Sequence, residues 1–201
     1  MMYFILDLII GIIGFALLLA FDLLSMHNRK YSKYFFGISG FLMIFVSSVL
    51  IVINYSDFLS INVTFRFIGL GFAIVSFVLL IYSIFIEVGR KTFQMENEHF
   101  LVTSGTYALT RHPGVLWMLL LYIFGAVFFQ NLLAIYAALI WTSVNIIYVT
   151  IQERFIFHKI FDNYDKYRES TPMILPSFES IEKFMTTKNW RRTWKTYEKC
   201  Y

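Results

Sequence analysis

The residues that could do chemistry are concentrated in two short stretches of the sequence. Arg111, His112 and Pro113 stand side by side at the start of a long apolar run. Glu153 ends a later apolar run, directly after Gln152. A guanidinium can grip a carboxylate through two parallel hydrogen bonds, and a carboxylate can pair with an ammonium group. These side chains would therefore bind a zwitterionic ligand if the fold brought the two stretches together.

The elements that must position these residues are membrane-spanning helices. The 201-residue chain is 58% hydrophobic and only 15% charged. About 20 apolar residues cross a hydrocarbon layer ~30 Å thick, and inside that layer a helix satisfies its own backbone groups. The sequence predicts an all-α, polytopic membrane helical bundle, with a soluble all-α protein as the alternative. The predicted fold has about five transmembrane helices, at residues 4–25, 34–54, 66–87, 113–129 and 132–151.

The distribution of Lys and Arg predicts how these helices are oriented. Cations are concentrated in the first and third loops and after residue 151, whereas the second and fourth loops are nearly free of them. Positive charge favours the cytoplasmic side, so we expect the N-terminus outside and the C-terminus in the cytoplasm. The net charge of +4 then suits an anionic bilayer better than nucleic acid. The lack of a targeting peptide favours a prokaryotic plasma membrane. The sequence predicts no metal site.

A helical hairpin made by the fourth and fifth spans would bring the two reactive stretches to the same end of the bundle. Pro113 suits the first turn of a helix, because a backbone N–H at that position would have no partner within the helix. Gln130 and Asn131 can form the tight turn between the two spans. Arg111 and Glu153 would then lie at one depth, at the cytoplasmic edge of the membrane. The alternative is an arginine that only anchors its helix at the interface.

A polar stripe follows the fifth predicted span. Trp141, Asn145, Tyr148 and Gln152 recur at i, i+4, i+7 and i+11, which places them on one face of a helix that leads to Glu153. Such a stripe is typical of a seam of hydrogen bonds between helices.

Two motifs flank the predicted hairpin: LVTSGTYALTRHP stands before it and QERFIFHKIFDNYDKYRESTPMILP follows it. In this order, from Gly89 to Pro176, the chain resembles the isoprenylcysteine carboxyl methyltransferase and phospholipid methyltransferase superfamily. Members of that superfamily are small multi-span enzymes that use S-adenosylmethionine (SAM). The resemblance implies Arg111, His112 and Glu153 as catalytic residues, and Tyr107, Arg111, His112, Gln152, Glu153, Tyr164 and Tyr167 as cofactor-binding residues.

The predicted domain organisation follows from the motifs and from the composition of the tail. Residues 1–176 are expected to form one integral membrane, methyltransferase-like domain, with its SAM-binding part at 88–176. Residues 177–201 are basic and aromatic, and the tail alternates aromatic and cationic faces at helical spacing. A cytoplasmic helical segment lying in the membrane interface is expected there, with a disordered basic tail as the alternative.

The function that the resemblance implies is methyl transfer from SAM to a lipid-like or isoprenoid-linked acceptor that reaches the site from the bilayer. Two alternatives stay open. One is an NADPH-dependent membrane reductase related to steroid 5-alpha-reductase. The other is a non-catalytic relative, because Gln152 stands where the superfamily has the first Glu of a pair, and Val115 and Trp117 replace its usual Tyr and Gly.

Overall fold

The computed structural model describes residues 2–26, 32–54, 59–88, 101–161 and 163–186. Over these residues the chain is all-helical and contains no strand, as the sequence predicts. The amphipathic stripe predicted for residues 190–201 lies outside the described residues. So do Arg90 and Lys91, which the reductase alternative would use, and Arg29 and Lys30 of the first loop.

The helices of the described residues are numbered here in chain order. They are α1 Met2–Met26, α2 Ser32–Asn54, α3 Val63–Ile81, α4 Thr106–Leu109, α5 Pro113–Phe129, α6 Leu132–Gln152, α7 Tyr164–Ser170 and α8 Phe178–Thr186. Two of them continue in a wider, π-helical stretch: α3 through Tyr82–Val88, and α6 through Glu153–Phe157 and a last turn, His158–Ile160. Single π-helical turns are rare and are frequently found at functional sites.

Four of the described helical segments are long and apolar enough to cross a membrane. They are Met2–Ser25, Lys33–Ile53, Val63–Val88 and Leu132–Ile160. Their outward faces carry large apolar side chains, such as Phe35, Ile38, Phe45 and Ile53, each at least 65% exposed. Such faces need lipid around them, which indicates a membrane protein. The remaining predicted span, α5, is an apolar helix of 17 residues.

Contacts between residues divide the chain into two compact units. The first unit comprises Met1–Val78 and Trp117–Lys159, and the second comprises Leu79–Leu116 and Ile160–Tyr201.

Within the first unit, α1 packs along α2 at a pair of glycines. A Cβ atom on Gly14 would lie 2.8 Å from the carbonyl oxygen of Gly40, and one on Gly40 would lie equally close to that of Gly14. Small residues let membrane helices approach this closely.

We expect Gly14→Ala to lower the melting temperature of the detergent-solubilised protein, because the added methyl group would push α1 and α2 apart. Overpacking of this kind costs about 1–3 kcal/mol. The matched control is Gly71→Ala in α3, where an added Cβ would meet nothing within 4 Å. The close α1–α2 contact would be contradicted if the melting temperature fell equally in both variants, or if it fell in neither of them.

Candidate functional site

The motif that contains Arg111 and His112 is hydrogen-bonded, within the second unit, to the segment that follows α7. The backbone N–H of Arg111 donates to the carbonyl of Pro172 at 2.8 Å, and that of His112 donates to Met173 at 3.1 Å. The chain then enters α5 at Pro113, where the N–H of Val115 donates to the His112 carbonyl. The backbone of the Arg-His-Pro stretch is therefore fixed by a partner segment far away in the sequence.

The guanidinium of Arg111 holds the end of α7. Its Nη1 atom donates to the carbonyl oxygens of Thr171 at 2.7 Å and Arg168 at 3.0 Å. The last carbonyls of a helix lack partners within the helix and carry partial negative charge, so a cation placed there is stabilising. The sequence predicts a ligand-binding or interface-anchoring arginine, and the structure adds this capping role.

The tyrosines of the predicted signature lie together in the second unit. The Tyr167 hydroxyl donates to the carbonyl oxygen of Tyr107 at 2.7 Å, and the rings of Tyr164 and Tyr167 meet edge to face at 6.2 Å. Tyr164 and Tyr167 are both buried. Burial, with a smaller contribution from the nearby carboxylate of Glu87, raises the pKa of the Tyr107 phenol well above its usual range. Tyr107 is therefore a neutral hydroxyl at physiological pH.

Glu87 fixes the start of the same motif, which the sequence did not reveal. Its carboxylate accepts hydrogen bonds from the Thr106 backbone N–H, at 2.9 Å to Oε1, and from the Thr106 hydroxyl. The preceding Gly105 has a positive φ of 67°, a conformation that favours glycine. Glu87 lies in the π-helical stretch at the end of α3 and is buried. Nothing in the sequence indicates that Glu87 and Thr106, 19 residues apart, would pair.

The polar stripe of α6 forms the predicted seam between helices in the first unit. The Trp141 indole N–H donates to the carbonyl oxygen of Leu8 at 3.3 Å. Farther along, the hydroxyl of Tyr148 and the amide of Gln152 both donate to Oδ2 of Asp22, at 2.5 and 2.8 Å. The interpretation of the stripe as a hydrogen-bonded seam is therefore confirmed, and Gln152 belongs to a cluster with Asp22.

Glu153 follows this cluster and is buried, with 7% of its surface exposed. It begins the π-helical stretch Glu153–Phe157, which widens the helix at this residue. Glu153 and Gln152 belong to the first unit, whereas Arg111 and His112 belong to the second. The predicted convergence of these two pairs on one ligand stays a prediction.

The described residues contain no group of three or more His, Cys, Asp or Glu side chains that could hold a metal ion. No family model, curated protein or solved structure matches the chain. The resemblance of its motifs to the methyltransferase superfamily therefore stays a prediction as well.

Proposed function

We propose that this chain is an integral membrane SAM-dependent methyltransferase that acts on a lipid-like or isoprenoid-linked acceptor. The proposal is carried by the hydrogen bonds that join two separate parts of the motif resemblance, residues 105–113 and 164–173. Arg111 and Thr171 are 60 residues apart in the sequence. A chance likeness in two such distant stretches would give no reason for them to pack against each other.

The proposed enzyme spans the membrane five times, with its N-terminus outside and its C-terminus in the cytoplasm. In support, α1 and α6 run in the same direction, since Leu8 contacts Trp141 and Asp22 contacts Gln152. Helix α5 runs antiparallel to α6, since the ring of Tyr122 packs against that of Trp141, while Met118 contacts Asn145 farther along.

If α1 and α6 both cross the membrane in the same direction, an odd number of crossings lies between them. This supports α5 as a crossing in addition to α2 and α3. At 1.5 Å per residue α5 is only about 25 Å long, and a short span is accommodated by local thinning of the bilayer.

The donor set of this chain suits SAM. The guanidinium of Arg111 stays charged at any physiological pH and can bind a carboxylate, while the buried carboxylate of Glu153 can pair with an ammonium group. When bound, SAM supplies an electrophilic methyl group on a sulfonium. The protein then has to align the acceptor with that methyl group and exclude water. A carboxylate acceptor needs no base, whereas an amine or thiol acceptor would lose its proton to His112 or Glu153.

The test is calorimetric titration of the purified full chain with SAM, S-adenosylhomocysteine (SAH) and NADPH. We expect saturable binding of SAM and SAH and no binding of NADPH. Binding of NADPH alone would replace the proposal with the reductase, and no binding of any of the three would favour a non-catalytic membrane protein. Radiolabelled SAM with membrane lipids would then show whether the methyl group moves to a lipid.

A further inference from the structure

Asp22 is a carboxylate inside a membrane-spanning segment, near the end of α1. Acidic side chains within such segments are expensive, and they usually face the protein interior and mark a binding or transport site. Asp22 belongs to none of the sequence motifs described above. Asp22 is half-buried and lies in the last turns of the span.

The described donors to the Asp22 carboxylate are neutral groups. Both hydrogen bonds described for the side chain, from Tyr148 and Gln152, end on Oδ2 and come from neutral donors. Gln152 also donates to the Tyr148 hydroxyl at 2.8 Å, which ties the two donors to each other. No lysine or arginine in the described part of the chain pairs with Asp22, and no described donor reaches Oδ1.

A second acid lies on the same helix end within the first unit. Glu153 directly follows Gln152, and the stretch Glu153–Phe157 packs against α1. Toward the middle of the span, the ring of Phe15 lies 6.4 Å from that of Tyr148 and lines the apolar side of the cluster. Two carboxylates beside aromatic rings suit an organic cation better than an anion or a neutral ligand.

We propose that the cluster of Asp22, Tyr148 and Gln152 binds the sulfonium-bearing, cationic part of the methyl donor, with Oδ1 of Asp22 facing the positive charge. This assignment rests on the proposed function. Gln152 of α6 is neutral. In this assignment, the negative charge that faces the sulfonium comes from Asp22 of α1.

The discriminating measurement is the ratio of SAM to SAH affinity, because SAH lacks the sulfonium charge and is otherwise nearly the same molecule. In the Asp22→Asn variant we expect SAM binding to weaken about tenfold, as for loss of one charged hydrogen-bond partner, while SAH binding changes much less. The matched control is Asp7→Asn, which removes the buried acid nearer the other end of α1. Its SAM to SAH ratio should equal that of the wild type.

A double variant, Asp22→Asn with Gln152→Glu, moves the charge from α1 to α6 and keeps a carboxylate and an amide in the cluster. We expect it to restore much of the preference for SAM, which a purely structural seam would not do. An unchanged SAM to SAH ratio in Asp22→Asn would overturn this inference and leave the proposed function standing. If Asp22→Asn does not fold, the double variant decides, and loss of the SAM preference there overturns the inference. Failure of the wild type to bind SAM and SAH would overturn both.

Discussion

Replacing Arg111 with alanine is expected to abolish SAM binding and to lower the melting temperature of the ligand-free protein. The first effect follows from loss of the group proposed to bind the SAM carboxylate. The second follows from the two hydrogen bonds by which Nη1 holds the carbonyls of Arg168 and Thr171. Each hydrogen bond to a charged group contributes about 1.5–3 kcal/mol to stability.

Two further variants separate these effects. Arg111→Lys keeps the positive charge and can still reach a carbonyl at the end of α7, but it loses the planar fork that grips a carboxylate. We expect its melting temperature to stay near that of the wild type while SAM binds at least about tenfold more weakly. Arg66→Ala is the control, because Arg66 also donates to a backbone carbonyl, that of Phe128, but lies outside the proposed site.

Calorimetric titration and thermal denaturation of all three variants test this expectation together. Arg66→Ala should lose stability and keep its SAM affinity. Normal SAM binding by both Arg111 variants would mean that the donor binds elsewhere, and Arg111 would then be only a helix cap.

The helices of this protein could be predicted from its sequence because long apolar runs leave a chain in lipid few choices. The predicted fifth span, residues 132–151, corresponds to Leu132–Gln152. Asn131, predicted to lie in the turn before this helix, also caps it, since its side chain accepts from the N–H of Ala134 at 3.0 Å. Helix boundaries and helix caps depend on residues that are close together in the sequence, so the local sequence pattern can predict them.

The partners of polar side chains could not be predicted in the same way. Asp22 stands as a single acid in an apolar run, and nothing nearby shows that Gln152, 130 residues later, donates to it. The sequence predicts that the side chain of Arg111 faces a ligand or the interface. In the structure it donates to carbonyls at the end of α7, and such carbonyls carry no sequence signature. The π-helical stretches at Glu87 and Glu153 could not be predicted either, because no residue type or short motif in them marks a wider turn.

Glu87→Ala is expected to disturb the candidate site through its backbone, without removing any group proposed to touch SAM. The Thr106 N–H and hydroxyl are buried, and both donate to the Glu87 carboxylate. Leaving a buried donor without a partner costs about 1–3 kcal/mol, so the segment from Gly105 to Arg111 should open more often. Hydrogen exchange should become faster in residues 101–112, and SAM affinity should fall as the binding-competent population falls.

Glu87→Gln tests which property of the side chain is needed. The amide keeps one oxygen that can accept from the Thr106 N–H, but it loses the charge that makes these hydrogen bonds strong. We expect exchange rates and SAM affinity between those of the wild type and of Glu87→Ala. The exposed Glu179 of α8 provides the control, since Glu179→Ala removes an acid of the second unit that accepts no described hydrogen bond from Thr106. Unchanged exchange in Glu87→Ala would show that the hydrogen bonds to residues 167–173 hold the motif by themselves, and a loss of SAM binding would then have to come from the charge of Glu87.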